Sequence, residues 1–198
     1  MRRSMTRRTG ARLAVTAVAG VLALSATGCS LLSGGGSGDD GGGTNVKVSM
    51  GPNGKVSGAV ASVTRPYGAY NLQVDVVSLK RYDKALRLIF VVVPHSGGGT
   101  SDDLDQDTFG NSETPDYSSH YDVSDVSLVD TKDMKQYSPM TTGSGDGQRC
   151  ACSHDVDDYS LGNPTTLYAD YPLPPDSVTK LTVNVPHLGP IPGVKVTS

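Results

Sequence analysis

The stretch NLQVDVVSLKRYDKALRLIFVVV, residues 71–93, contains two runs in which apolar residues alternate with other residues. In the first run Leu72, Val74 and Val76 recur at every second position, and the second run begins a similar alternation at Leu86. Successive side chains of a strand point to opposite faces, so a period of two indicates strands and not a helix. The intervening YDKA predicts a turn between the two strands.

The second of these strands ends in a run that is apolar on both faces. Phe90 and Val92 alternate with Val91 and Val93, so no polar face remains. A strand with this pattern is typically covered on both sides. We therefore expect the end of this strand to be buried on both faces.

Short runs of β-branched residues, broken by Gly, Pro, Asn and Asp, continue the pattern on both sides of this stretch. No segment has ten residues of clean helical periodicity. Eight or nine strands in about 150 residues predict an all-β chain folded as a single antiparallel β-sandwich, with a closed barrel as the alternative. The predicted strands lie at 46–50, 58–64, 71–82, 86–93, 125–130, 135–140, 165–172, 178–186 and 194–196.

A long acidic segment at 94–122 interrupts this series of strands. A loop of about 30 residues in a compact domain is usually functional or disordered. Its Asp103, Asp105 and Asp107 stand at the first, third and fifth positions of a calcium-binding pattern. The glycine and glutamate that this pattern needs at its sixth and twelfth positions are both threonine here, so we predict a solvated loop without calcium.

The N-terminus predicts export across a membrane. MRRSMTRRTGAR carries five arginines and no acidic residue, and the apolar run Leu13 to Leu24 follows it. A basic region before a short apolar region is the plan of a signal peptide. The run is shorter than the ~20 residues that a membrane-spanning helix needs.

The apolar run ends in LSATGCS, residues 24–30. The small residues at 26–28 directly before Cys29 resemble the lipobox of bacterial lipoproteins, with Ala26 where that motif usually has Leu. The resemblance implies that residues 1–28 are removed, that Cys29 carries a diacylglyceryl group, and that the protein is anchored on the outer face of the cytoplasmic membrane. The alternative is an ordinary signal peptide, with Cys29 as a spare thiol.

A Gly/Ser-rich segment at 29–45 separates this cysteine from the predicted domain at 46–198. Such a composition forms a flexible tether, with a reach of roughly 20–25 Å. Removal of the leader takes five of the 17 basic residues, leaving 12 against 20 acidic ones, so the mature net charge is −8. Nucleic acids and anionic lipid surfaces attract basic patches, so we expect neither as a partner.

The stretch QRCACSH, residues 148–154, places Cys150, Cys152 and His154 at alternate positions. With Cys29 lipidated, two thiols remain in a non-reducing compartment, which favours a disulfide between Cys150 and Cys152. Extended spacing puts their Cα atoms about 6.5 Å apart, so closure needs a local kink. The alternatives are a zinc or copper site with His154, which lacks an identifiable fourth ligand, a redox pair, or inert thiols.

The tyrosines and the remaining histidines carry a weaker signal. His95, His120 and His187 are isolated in the sequence, and we expect them at the surface. Half-buried strand positions are the expected environment of the tyrosines, with a recognition patch as the alternative. The tyrosines concerned are Tyr117, Tyr121, Tyr137, Tyr159, Tyr168 and Tyr171.

The C-terminal half carries a pattern of family resemblance in DVSLVDTKDMKQYSPM, CACS and TTLYADYPLPPDSVTKLTVNVPHLGPIPGV. Over residues 70–196 it resembles actinobacterial lipoproteins and OmpA-family proteins that have an immunoglobulin-like domain of the DUF4352 or telokin-like kind. The acidic segment 94–122 departs from that family pattern. The resemblance implies a membrane-anchored immunoglobulin-like module and brings no catalytic residues with it.

These features predict a protein that is not an enzyme and has no cofactor. The sequence contains no G-x-S-x-G, H-E-x-x-H, P-loop or G-x-G-x-x-G motif. We expect a binding module for a protein or another ligand at the cell envelope, acting through the segment 94–122 or a sheet face. The alternative function is the handling of zinc or copper by Cys150, Cys152 and His154.

Overall fold

The computed structural model describes residues 48–51, 54–68, 70–95, 109–110, 122–144, 148–154 and 161–198. The predicted signal peptide, Cys29 and the tether lie outside the described residues. Residues 96–108 and 111–121 of the acidic segment also lie outside them, including its three spaced aspartates. The described residues belong to one compact unit.

Every regular element in the described part of the chain is a β-strand, which confirms the all-β prediction. The strands are β1 Ala61–Tyr67, β2 Tyr70–Arg81, β3 Leu86–His95, β4 Ser127–Asp130, β5 Lys135–Tyr137, β6 Thr141–Thr142, β7 Arg149–Cys150, β8 Thr165–Tyr171, β9 Lys180–Val185 and β10 Gly189–Lys195.

The strands form two four-stranded sheets and a small ribbon. The first sheet has the order β1-β2-β3-β8 and the second has the order β10-β9-β4-β5, while β6 and β7 form the ribbon. Every pairing between these strands is antiparallel. Two separate sheets of this kind are the predicted antiparallel sandwich and not a closed barrel.

One apolar core lies between the two sheets, because the alternate residues of their strands point toward each other. In β3 the inward residues Leu86, Leu88, Phe90 and Val92 are all fully buried, as the sequence pattern predicts. Other strands contribute Leu72, Val74, Val76, Leu167, Ala169, Tyr171, Leu128, Leu181, Val183, Val185, Ile191 and Val194 to the same cluster.

A second, smaller apolar cluster covers part of the outer face of the first sheet. Val91 and Val93 of β3 are fully buried there and pack with Val56. The partly buried Val48, Met50, Ala59 and Val77 pack against these residues. The segment 48–60, which is described at 48–51 and 54–60, therefore contacts the outer face of the first sheet at the end of β3. This contact confirms that the end of β3 is buried on both faces.

Some boundaries differ from the sequence-based expectation. Residues 48 and 49 are not in a strand, and Met50 forms only an isolated bridge with Val56, so the predicted strand at 46–50 is wrong over its described part. β10 begins at Gly189, five residues before the predicted start at 194, and its pairing with β9 shifts register between Ile191 and Val194. The two prolines and Gly193 interrupt the alternation of apolar residues in GPIPGVK, so the sequence pattern does not predict this irregular strand.

Candidate functional site

The outer face of the first sheet has two ends with different chemistry. At the end covered by the segment 48–60, a buried polar network centres on the fully buried Asp75. Its carboxylate accepts hydrogen bonds from the backbone N–H of Val56 at 2.8 Å, from Gln73 Nε2 at 2.6 Å and from the hydroxyl of Ser62. Three donors therefore satisfy the hydrogen-bonding capacity of this buried carboxylate.

The same network includes a histidine that the sequence places at the surface. His95 is only half-exposed, and its Nε2 lies 2.8 Å from Gln73 Oε1. Gln73 also donates to the carbonyl oxygen of Gly54 at 3.2 Å. His95 is thus partly at the surface, as predicted, but Pro94 and His95 belong to strand β3 and not to the loop to which we assigned them. His187 is exposed as expected, with its ring centroid 5.5 Å from that of Tyr67.

At the uncovered end, two basic side chains and one acidic side chain lie next to each other on neighbouring strands. Lys80 pairs with Arg87 across β2 and β3, and Arg87 pairs with Asp170 across β3 and β8. We call Lys80, Tyr82, Arg87, Tyr168 and Asp170 the open-end cluster.

Arg87 is the centre of the open-end cluster. Its Nε and Nη2 donate to the two carboxylate oxygens of Asp170 at 2.7 and 2.8 Å, a bidentate ion pair. Its Cζ lies 4.9 Å from the ring centroid of Tyr168 and 5.7 Å from that of Tyr82, both within cation–π range. The hydrogen bonds to Asp170 raise the pKa of the Arg87 guanidinium, although partial burial opposes this effect.

The open-end cluster remains accessible to solvent, although hydrogen bonds fix the ion pair of Arg87 and Asp170. Tyr82 is 51% exposed, and Lys80 Nζ lies 5.8 Å from its ring centroid. The side chains of Arg87 and Asp170 are 23% and 14% exposed. The result is a surface of aromatic faces and positive charge, positioned by strands that are rigid because their inner faces form the core.

The other tyrosines have mixed environments. Tyr168 is half-buried in a strand, as expected, whereas the strand residues Tyr137 and Tyr171 are more deeply buried than expected. The Tyr171 hydroxyl donates to the carbonyl oxygen of Val126 at 2.7 Å, which links β8 to the segment before β4. Burial raises the pKa of Tyr171 well above its ordinary range. The three tyrosines at 117, 121 and 159 lie outside the described residues.

Cys150 and Cys152 are joined by a disulfide, which supports the predicted pairing. Their Cα atoms are 5.2 Å apart, less than extended geometry gives, because the chain bends at Ala151. Both cysteines belong to the main core: Cys152 is fully buried and Cys150 is 7% exposed. The disulfide is therefore a buried local clamp and not a surface feature.

Backbone hydrogen bonds hold this disulfide against the free edge of β8. Ser153 donates to the carbonyl oxygen of Tyr168 at 2.9 Å, and Asp170 donates to that of Ala151, also at 2.9 Å. Cys152 itself forms an isolated antiparallel bridge with Ala169. The segment thus extends the first sheet beyond β8 by one short, irregular strand.

The structure adds an acidic residue to the cysteine–histidine group. Ligand atoms of Asp122, Cys152 and His154 all lie within 4.8 Å of one another. Asp122 is buried, and its Oδ1 accepts the backbone N–H of Ser124 at 3.0 Å. Thirty residues separate Asp122 from Cys152 in the chain, so no local spacing predicts their contact.

The acidic segment 94–122 has a described anchor in its middle. Phe109 is 2% exposed, and its ring packs edge-on against Phe90 at 6.4 Å between centroids. Its carbonyl oxygen accepts the N–H of Asp125 at 3.0 Å. One of only two phenylalanines in the chain lies in this segment, and that was the one signal of a core contact in the sequence.

Comparison of the chain with protein-family models, with curated proteins and with solved structures finds no match. Among the described residues, no helix is long and apolar enough to cross a membrane.

Proposed function

We propose that the protein is a lipid-anchored, non-catalytic binding module on the outer face of the cytoplasmic membrane. The open-end cluster is the observation that carries the binding role. Tyr and Arg are enriched among the residues that dominate binding energy at protein interfaces. Here two tyrosines flank one arginine on a solvent-facing sheet surface.

The geometry of the cluster favours a protein partner. Asp170 already neutralises Arg87, so the guanidinium acts mainly as a fixed platform for the two rings. Lys80 supplies a positive charge beside Tyr82. A complementary surface would place an apolar or aromatic side chain on Tyr82 and a carboxylate near Lys80. Because strands hold these side chains, binding would order few of them, which lowers its entropic cost.

The immunoglobulin-like assignment is part of the same proposal. The strand order β10-β9-β4-β5 corresponds to the G-F-C-C′ order of an immunoglobulin-like sheet, and β2-β3-β8 corresponds to A-B-E. This correspondence supports the resemblance to the DUF4352 or telokin-like domains of actinobacterial lipoproteins.

The anchor rests on the leader sequence and on Cys29. Two acyl chains suffice for stable attachment, since each buried methylene contributes ~0.8 kcal/mol. Changing Cys29 to Ala is expected to move the protein from the membrane fraction to the soluble fraction. Continued membrane retention of that variant would contradict the lipid anchor.

Site-specific photo-crosslinking in intact cells tests the binding surface. A photoreactive residue at position 82 is expected to give a discrete adduct, which Arg87→Ala weakens by removing the platform under the ring. Position 134 is the matched control, because Met134 is 87% exposed and lies in the turn between β4 and β5 of the other sheet. Equal adducts at both positions, or none at 82, would reject the open-end cluster as the binding surface.

The segment 94–122 remains the second proposed binding surface, and the structure changes how it is tested. Deleting residues 97–118 would remove Phe109 from the core and so confound binding with folding. Replacing residues 97–107 by a short Gly/Ser linker leaves Phe109 in place. Loss of a partner with an unchanged melting temperature would then assign binding to this segment.

A further inference from the structure

The group around the disulfide supports an inference beyond the binding role and independent of it. The sequence offers three metal ligands in Cys150, Cys152 and His154 and leaves the fourth unidentified. The structure brings the carboxylate of Asp122 to within 4.8 Å of the ligand atoms of Cys152 and His154. Two sulfurs, one imidazole and one carboxylate are a complete set of donors for a tetrahedral zinc ion.

The disulfide decides whether this set is available. Thiolates bind zinc, whereas the sulfurs of a disulfide carry no charge and are poor ligands. The oxidised chain therefore offers only Asp122 and His154, which are too few to hold zinc tightly. Reduction therefore raises the number of available zinc ligands from two to four.

We propose that a dithiol reductant opens the Cys150–Cys152 disulfide and that Cys150, Cys152, His154 and Asp122 then bind one Zn²⁺. The reductant gives two electrons and two protons to the disulfide and becomes a disulfide itself. Zinc binding then displaces the two thiol protons into solution as two zinc–sulfur bonds form. The protein is thus a redox-gated zinc site, closed when oxidised and complete when reduced.

The backbone keeps the ligands together in the reduced state. The hydrogen bonds of Ala151 to Met140 and of Ser153 to Tyr168 do not involve the sulfurs, so they survive reduction. The N–H of Ser124 orients the Asp122 carboxylate, as outer hydrogen bonds commonly do around metal ligands. Ligand atoms around tetrahedral zinc lie roughly 3.3–3.8 Å apart. The ligand atoms of Asp122, Cys152 and His154, which lie within 4.8 Å of one another, would therefore move together by about 1 Å, while the Cys150 sulfur moves away from that of Cys152 once their bond is broken.

A route for the reductant exists at the edge of the sandwich. Cys150 ends β7, which pairs with β6 in a ribbon of only two residues per strand. Thr141, Thr142 and Arg149 in this ribbon are exposed. Short exposed ladders open locally at low free-energy cost, and such opening would uncover the Cys150 sulfur.

Zinc binding by the full-length protein in detergent tests the proposal. Oxidised protein and protein reduced with a phosphine, then freed of reductant under argon, are titrated with Zn²⁺ against a chromophoric chelator. We expect one zinc per reduced chain and none on the oxidised chain. Co²⁺ in place of zinc should give thiolate charge-transfer absorption and the visible bands of tetrahedral cobalt, only in the reduced protein.

Three variants separate this site from binding by thiols alone. His154→Ala and Asp122→Asn are expected to weaken zinc binding at least about 100-fold, since even outer partners of metal ligands change affinity by 10–100-fold. His154 is exposed, and Asn at 122 keeps an oxygen for the Ser124 N–H, so both variants should melt like the unchanged protein. Asp83→Asn, in the exposed turn between β2 and β3, is the control and should bind normally.

Each contrary result overturns a stated part of the proposal. Equal zinc binding by the oxidised chain removes the redox gate. No binding by the reduced chain removes the site. Binding that His154→Ala and Asp122→Asn leave unchanged, in variants that melt normally, assigns the metal to free thiols and rejects the four-ligand centre.

Discussion

The covered and uncovered ends of the first sheet share strands β2 and β3, yet only one of them faces water. At the covered end the segment 48–60 packs on Val91 and Val93, and Asp75 binds it through the Val56 N–H. At the uncovered end Arg87 and Asp170 pair on the surface beneath two tyrosines. A chain segment outside the sheet therefore decides which part of a strand face is available for binding.

Removing the Asp75 carboxylate is expected to produce the largest loss of stability. Asp75→Ala leaves the Val56 N–H, the Gln73 amide and the Ser62 hydroxyl without their acceptor in a buried site. Each such loss costs about 1–3 kcal/mol, so we expect a decrease of about 3 kcal/mol or more in the free energy of unfolding, measured by urea denaturation.

Hydrogen exchange locates the effect of the Asp75 change. The Val56 amide should exchange much faster in Asp75→Ala, because its acceptor is gone and the segment 48–60 is released. Asp83→Ala, at an exposed turn, is the control and should change neither measurement. A stability loss below about 1 kcal/mol would mean that the apolar contacts alone hold the segment.

Tyr171 follows Asp170 in β8, and its side chain faces the core on the inner side of the uncovered end. A change at Tyr171 therefore measures how much the buried inner side of this end stabilises the fold. Tyr171→Phe removes the donor to the buried Val126 carbonyl, and we expect a loss of about 1–2 kcal/mol, measured by urea denaturation at neutral pH.

The pH dependence of the same residue gives an independent check. Burial raises the pKa of Tyr171, so the folded state keeps the phenol proton while the unfolded state releases it near pH ~10. The stabilisation is therefore complete below that pH and falls above it by up to ~1.4 kcal/mol per pH unit. Tyr171→Phe should lose this share of the alkaline slope. An unchanged slope would mean that Tyr171 ionises without unfolding.

Local patterns predicted most of the strands but neither the Asp75 network nor the open-end cluster. The period-two runs at β2, β3, β8 and β9 are properties of neighbouring residues, so the sequence alone predicts those strands nearly to their observed ends. β6 and β7 were missed because two exposed residues carry no periodicity. The disulfide followed from a count of cysteines and their spacing.

The polar sites depend on contacts between distant parts of the chain. The alternating pattern of β2 predicts that Asp75 faces solvent. It is buried because Val56, 19 residues earlier in the chain, packs over it. Arg87 and Asp170 are 83 residues apart and meet because β3 pairs with β8. Spacing rules apply within one element, so neither contact follows from the sequence pattern.

The ion pair of the open-end cluster should stabilise the fold modestly. In a double-mutant cycle of Arg87→Ala and Asp170→Ala we expect a coupling of about 1 kcal/mol, because the pair is bidentate and partly shielded. Arg81 and Asp176 are the control pair, at 3.6 Å with the Asp176 side chain fully exposed, and should show no measurable coupling. Equal coupling in both pairs would show that the bidentate geometry at Arg87 adds no stability beyond that of an exposed ion pair.

Tyr82 is expected to show the smallest stability effect and the clearest separation of folding from binding. Its ring is 51% exposed and lies 5.7 Å from Arg87 Cζ and 5.8 Å from Lys80 Nζ, so Tyr82→Ala should change the free energy of unfolding by less than about 0.5 kcal/mol. Binding to the crosslinked partner, measured with the purified protein, should nevertheless fall, because an exposed aromatic ring on a rigid platform contributes its energy only in the complex. A large stability loss would instead mean that Tyr82 stabilises the fold by shielding Arg87 from solvent. The uncovered end would then be a covered surface like the opposite end and not a binding surface.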